Sequence, residues 1–257
     1  ALLDGARWWN QAFEAAGYRN AFRVELLPEG VSSMDIRYNV INWVHRSTRG
    51  WSSGATVTDP RTGEILKAVV TLGSLRVRQD WMIAEGLLQP YRNGDDQTPE
   101  IRAWALQRMR QLAAHEVGHT LGLGHNYYDS DAGRISVMDY PHPLVKLNAA
   151  GEVTPDEAYR EGIGEWDKVA VRWGYGEHDA KEGDRLHDDV GHVAMVGSVG
   201  QCSVHALRHI RRYRVASPQH QIFLPYPNFV NVPAGRVAPC FPPLPPMVGT
   251  SVSPIFL

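Results

Sequence analysis

The sequence predicts an α+β fold. Three observations carry this: a helical apolar period at the N-terminus, a middle block of alternating segments, and a second helical block that runs into a histidine-rich motif.

In residues 1–17, Leu2, Leu3, Ala6, Trp9, Ala12, Phe13 and Ala16 recur at helical spacing, with Gly17 as a stop. Residues 21–27 and 34–44 alternate as strands do. Residues 56–58 and 65–72 flank Asp59-Pro60-Arg61-Thr62-Gly63, which reads as the turn of a hairpin. Residues 75–88 look helical. Thr98-Pro99-Glu100 then opens a long helix, with Thr98 as N-cap and Pro99 at the first helical position. Ile101, Ala105, Leu112, Ala113, Val117 and Leu121 give that helix a buried face. Thr154-Pro155-Asp156-Glu157 has the pattern of a capping box. A last helix is expected from about Gly164 to Trp173, ending at Gly174.

The long helix ends in His115-Glu116-Val117-Gly118-His119-Thr120-Leu121-Gly122-Leu123-Gly124-His125. His115 and His119 lie one turn apart on one face, so both rings reach one ion. A straight helix would carry residue 125 away from it. Gly122 can adopt a left-handed conformation, which turns the chain so that His125 returns. Three protein ligands leave a fourth tetrahedral position open, the mark of a catalytic zinc. Five positions are fixed, and chance expectation in a chain of this size is on the order of 10⁻⁵. Surface histidines on an amphipathic helix are therefore a poor account of the motif.

Ser136-Val137-Met138-Asp139-Tyr140 follows closely. With the long zinc motif, this segment resembles the metzincin clan of zinc endopeptidases, in which a methionine-containing turn lies beneath the metal. Met138 would be that methionine. The Ser-x-Met-x-Tyr form is most similar to the astacin and serralysin branches, which implies that Tyr140 sits near the zinc. Asn126 departs from both, where astacins have glutamate and serralysins proline. The stretches at Trp8-Trp9-Asn10, Asp35-Ile36-Arg37-Tyr38-Asn39 and Gly164-Glu165-Trp166-Asp167 are similar to large bacterial zinc-dependent metalloproteases.

The resemblance implies a twisted mixed sheet with the active-site helix above it, and an irregular lower part with the Met-turn and a closing helix. It also implies a catalytic zinc on His115, His119 and His125, with Glu116 as general base and Tyr140 assisting at the oxyanion. A peptide would lie as an extended strand along an exposed sheet edge, for which residues 65–72 are the nearest candidate. Residues 141–144 would wall the pocket beside the metal, with His142 a candidate lining residue. An extracytoplasmic location follows from the resemblance alone. Two rival readings stay open: an inactive relative that binds peptides through the same cleft, and a zinc hydrolase of a non-peptide amide.

Composition narrows the alternatives. No apolar run is long enough to span a bilayer. The chain opens on an amphipathic segment without an initiating methionine or signal-peptide pattern, and reads as a mature or excised fragment. Residues 190–257 hold five arginines and no Asp, Glu or Lys, so this tail carries +5 and the remainder −7 of the formal −2. An acidic body and a short Arg208–Arg214 cluster argue against nucleic acid as the main ligand. Ten of the 17 prolines fall in the same tail. The expected organisation is a catalytic domain over residues 1–176 and an irregular or altered segment over residues 177–257, for which a shifted reading frame is one explanation. Both cysteines, Cys202 and Cys240, lie there, so neither a thiolate-bound zinc nor a thiol nucleophile is expected in the body. His187 and His192 beside Asp188-Asp189 lack the pattern of a second metal site. Asp59 and Asp95-Asp96 lie in turns, and a calcium role for them has no support in the sequence.

Overall fold

The computed structural model describes residues 1–48, 50–88, 99–126, 133–155, 157–176, 178–179, 181–182 and 185, with the backbone of residues 214–215 and 221–225. Thr98, Asp95-Asp96, Asp188-Asp189, His187, His192, Arg208–Arg212, Cys202 and Cys240 lie outside the described residues.

The N-terminal segment expected as one helix is two, Leu2–Arg7 (α1) and Trp9–Ala15 (α2), stepped at Trp8. Trp9 is fully buried, and its indole N–H donates to the Ala114 carbonyl at 2.8 Å. Residues 21–27 yield only a short strand, Glu25–Leu26 (β1). Tyr38–Val44 (β2), Ser53–Thr58 (β3) and Ile65–Gly73 (β4) follow. Residues 34–37 stay outside β2 because Asp35 bonds locally, accepting the backbone and guanidinium N–H groups of Arg37. Leu75–Leu88 (α3) matches its expected span, and Pro99–Thr120 (α4) is the long helix.

Two short strands, Lys146–Leu147 (β5) and Val153–Thr154 (β6), pair with each other. No helix starts at Thr154, contrary to the capping-box expectation: Thr154 closes β6, and Glu157 takes a positive φ of 56°, which a helix excludes. Glu165–Tyr175 (α5) runs through Gly174 instead of stopping there and ends at Gly176. In the C-terminal part, Arg214–Val215 (β7) and Gln221–Pro225 (β8) add backbone pairing to the sheet.

The sheet runs β1-β8-β2-β4-β3, with β7 paired to β8. Strand β2 is parallel to β4, and β3 is antiparallel to β4. This corrects the expected edge: residues 65–72 form an interior strand, and β3 is the edge. The chemistry of the strands explains the order. Strand β4 buries Ile65, Ala68, Val70 and Leu72, and β2 buries Val40 and Ile41. Ser53–Thr58 is short, polar and mostly exposed, as suits an edge.

Helix α4 packs under the sheet. Leu112, Ala113 and Val117 meet Val70, Leu72, Trp9, Phe13 and Met138 in one core cluster. Helix α5 closes the lower side through Tyr175, whose ring lies 4.9 Å from that of Phe13. A second cluster joins α3 to α4 through Ala84, Ile101, Trp104 and Tyr159. Among the described residues, no helix is long and apolar enough to cross a membrane.

Strand β3 rests on α4 at Gly54. A Cβ there would lie 2.1 Å from the Glu116 carbonyl oxygen and 2.9 Å from His119 Cβ. Backbone cannot yield as a side-chain tip can, so Gly54→Ala is expected to destabilise the fold by about 1–3 kcal/mol through overpacking. Urea unfolding checks this; an unchanged midpoint would mean that β3 does not sit on the helix.

Candidate metal centre

His115 and His119 stand one turn apart near the end of α4, which closes at Thr120. Gly122 then takes φ 85°, and the Leu123 N–H reaches back to the Gly118 carbonyl at 3.1 Å. This reversal returns His125 to the helix, as the spacing requires. His119 Nε2 lies 3.2 Å from His115 Nε2 and 3.0 Å from His125 Nε2. The three rings are the described group of side chains able to hold a metal ion.

The far side of two rings fixes their chemistry. His115 Nδ1–H donates to the Val137 carbonyl at 2.8 Å, and His119 Nδ1–H donates to the Leu123 carbonyl at 2.9 Å. A neutral ring that donates from Nδ1 has a bare lone pair on Nε2. Burial pushes His115 down to about 3 and lowers His119 and His125 as well, so the rings stay neutral near pH 7. Lone pairs about 3 Å apart repel unless a cation lies between them. A zinc tetrahedron with metal–nitrogen bonds of ~2.0–2.1 Å has edges of about 3.3 Å, close to these separations. The donor set therefore fits zinc.

Glu116 is buried beside the three histidines. Burial pushes its carboxyl up to about 7, against the Gly54 N–H and the Arg108 guanidinium, which favour the carboxylate. Tyr140 stands at the mouth: its ring centroid is 5.1 Å from that of His115 and 4.5 Å from that of His125, and the residue is 56% exposed.

Beneath the helix lies the turn at residues 136–140. Met138 is fully buried, and a Cβ on Gly118 would come within 2.2 Å of its sulfur. The missing side chain at Gly118 thus lets Met138 pack directly on the metal helix. The Asn126 N–H donates to the Met138 carbonyl at 3.0 Å, joining the end of the metal loop to this turn. Beside it is a cavity of about 840 Å³, lined by Tyr140, Pro141, His142, Leu144, Gln107 and Tyr159 among others. Residues 141, 142 and 144 thus line a cavity that Tyr140 also borders, while His115, His119 and His125 are not among its lining.

Residues 97–190 match the family model described as Met-zincin. No curated protein and no solved structure matches the chain. The matched segment takes in α4, the three imidazoles, the turn around Met138 and α5. The mixed sheet and packed helices are consistent with a metzincin fold, and the three-histidine cluster with its zinc.

Several residues that shape this site were not singled out in the sequence for that role. Asp167, in the first turn of α5, is fully buried. It accepts the Ser136 hydroxyl at 2.7 Å, the Val137 N–H at 2.9 Å and the Gly164 N–H at 2.7 Å. The Ser136 oxygen in turn accepts the Met138 N–H at 2.9 Å. Gln111 lies one turn before His115 and donates to the Val137 carbonyl at 3.0 Å. The available signal was a polar residue on the buried face of a helix; the partner could not be read from it.

Burial pushes Asp167 up to about 6 from an ordinary 3.8, with the three donated hydrogen bonds opposing. A raised acid holds a proton in the folded state that the unfolded chain releases between those values. Its stabilising contribution is therefore full below about pH 4 and is lost as pH rises through about 6. The Asp167 carboxyl ¹³C resonance is expected to titrate near pH 6, and Asp167→Asn to remove the matching slope in stability. A midpoint at or below 3.8 would contradict this.

Proposed function

We propose that the chain is a zinc-dependent endopeptidase, with His115, His119 and His125 as the metal ligands. The observation that carries this is the convergence of three Nε2 atoms, two of them on rings whose Nδ1–H is bound to a carbonyl. Bound zinc supplies a Lewis acid that activates water and polarises a carbonyl. Glu116, one residue from the first ligand, accepts the proton of the attacking water and delivers it to the departing amine. The Tyr140 hydroxyl donates to the oxyanion that develops on the substrate carbonyl. Ser136–Tyr140 serves as the Met-turn, with Met138 as a packed floor under the ligands.

Strand β3, the edge beside the metal helix, binds the peptide backbone as an added strand. Backbone pairing gives affinity with little sequence choice. The cavity beside Tyr140 receives the substrate side chain next to the scissile bond, between residues 141–144 and Gln107. Residues 1–176 supply every group in this scheme.

The test combines metal content with cleavage of a mixed peptide library. One zinc per chain and chelator-sensitive cleavage are expected. Glu116→Ala is expected to keep the zinc and to lose about 10²–10⁴-fold in kcat. Wild-type turnover in that variant would remove Glu116 from the mechanism. Zinc binding with no cleavage of any peptide would favour a binding module or a non-peptide substrate.

A further inference from the structure

Gln111 and Arg108 lie on α4, on the approach to His115, and both are buried, at 4% and 6% exposed. The Arg108 guanidinium donates to Gln111 Oε1, and Gln111 Nε2–H donates to the Val137 carbonyl at 3.0 Å. That carbonyl also accepts His115 Nδ1–H at 2.8 Å. The orientation of the amide is unambiguous, because a guanidinium can only donate and a carbonyl can only accept. A carboxamide presents an acceptor to one and a donor to the other without needing to gain or lose a proton.

We propose that Gln111, oriented by Arg108, is a positioning residue that fixes the tautomer and ring plane of His115 through the Val137 carbonyl. This rests on the metal reading of the three histidines. The Val137 peptide is held at both ends. Its N–H is bound by Asp167, and its oxygen is shared between Gln111 and the ligand. A carbonyl fixed in this way keeps the His115 proton on Nδ1 and aims Nε2 at the other two rings. Arg108 is itself anchored, with its guanidinium 5.7 Å from the centre of the Tyr159 ring. Groups that orient a metal-bound histidine commonly contribute 10–100-fold in metal affinity or activity.

The discriminating substitution is Gln111→Glu in the full chain. Glutamate has the same shape and still accepts from Arg108, so the helix keeps its buried pairing, but as the carboxylate that the guanidinium favours it turns an acceptor toward the Val137 carbonyl. Gln111→Met, which can neither donate nor accept in the same way, is the second variant. The readouts are zinc affinity by chelator competition, the visible spectrum with cobalt(II) in place of zinc, and apo thermal unfolding. Both variants are expected to bind zinc 10–100-fold more weakly, with a shifted cobalt spectrum and a lower kcat at unchanged KM. The apo form of Gln111→Glu should still unfold cooperatively, with a midpoint lowered by the lost bond to the Val137 carbonyl. Wild-type affinity and cobalt spectrum in a folded Gln111→Glu would overturn the proposal. Should neither variant fold, the ¹⁵N shifts of His115 in the apo wild type decide: protonation at Nδ1 supports the relay and protonation at Nε2 overturns it. A wild type that binds neither ion would overturn the metal reading itself.

Discussion

The His119 Nε2 is held about 3 Å from those of His115 and His125, and two of the three rings are fixed by bonds made on their opposite side. The Val137 and Leu123 carbonyls take the Nδ1 protons of His115 and His119, which leaves Nε2 bare and directed inward. Such an arrangement is electrostatically costly without a cation and well prepared for one. The cost is borne by packing. Trp9, Val117 and Leu121 are fully buried around the helix, and Met138 fills the space under Gly118. The local chain serves the same end: Gly122 reverses direction within a single left-handed residue, so that a histidine ten positions after the first joins it.

Around this cluster the fold sets an open side and a closed side. Strand β3 lies over α4 at Gly54, bringing the sheet edge and the Glu116 carboxylate together. From below, the Val137 peptide links the ligand helix to α5, since Asp167 holds its N–H while His115 and Gln111 share its oxygen. A movement of α5 would therefore be felt at His115. Tyr140 and the cavity beside it are left on the accessible side, where a substrate can approach.

Much of the centre was legible in the sequence because its geometry is local. The helical period places His115 and His119 on one face, and the need to bring His125 back assigns Gly122 its conformation before any coordinates are seen. The span of α3 was read correctly for the same reason. Sheet order is not local. Residues 65–72 looked like an available edge because strand chemistry reveals which residues are buried but not which neighbour covers them; β2 takes the open side of β4 and leaves β3 at the margin. Thr154-Pro155-Asp156-Glu157 carried a helix-start signal that β6 pairing and the positive φ of Glu157 override. Gln111 and Asp167 were opaque because a buried polar side chain shows its role only through its partner, here 26 and 30 residues away.

X-ray absorption at the zinc edge of the purified full chain tests the central claim most directly. It should show one zinc with three imidazole nitrogens at ~2.0–2.1 Å and one oxygen ligand, with one imidazole lost in His125→Ala. A zinc whose ligand shell is unchanged when His115, His119 and His125 are all replaced would contradict it.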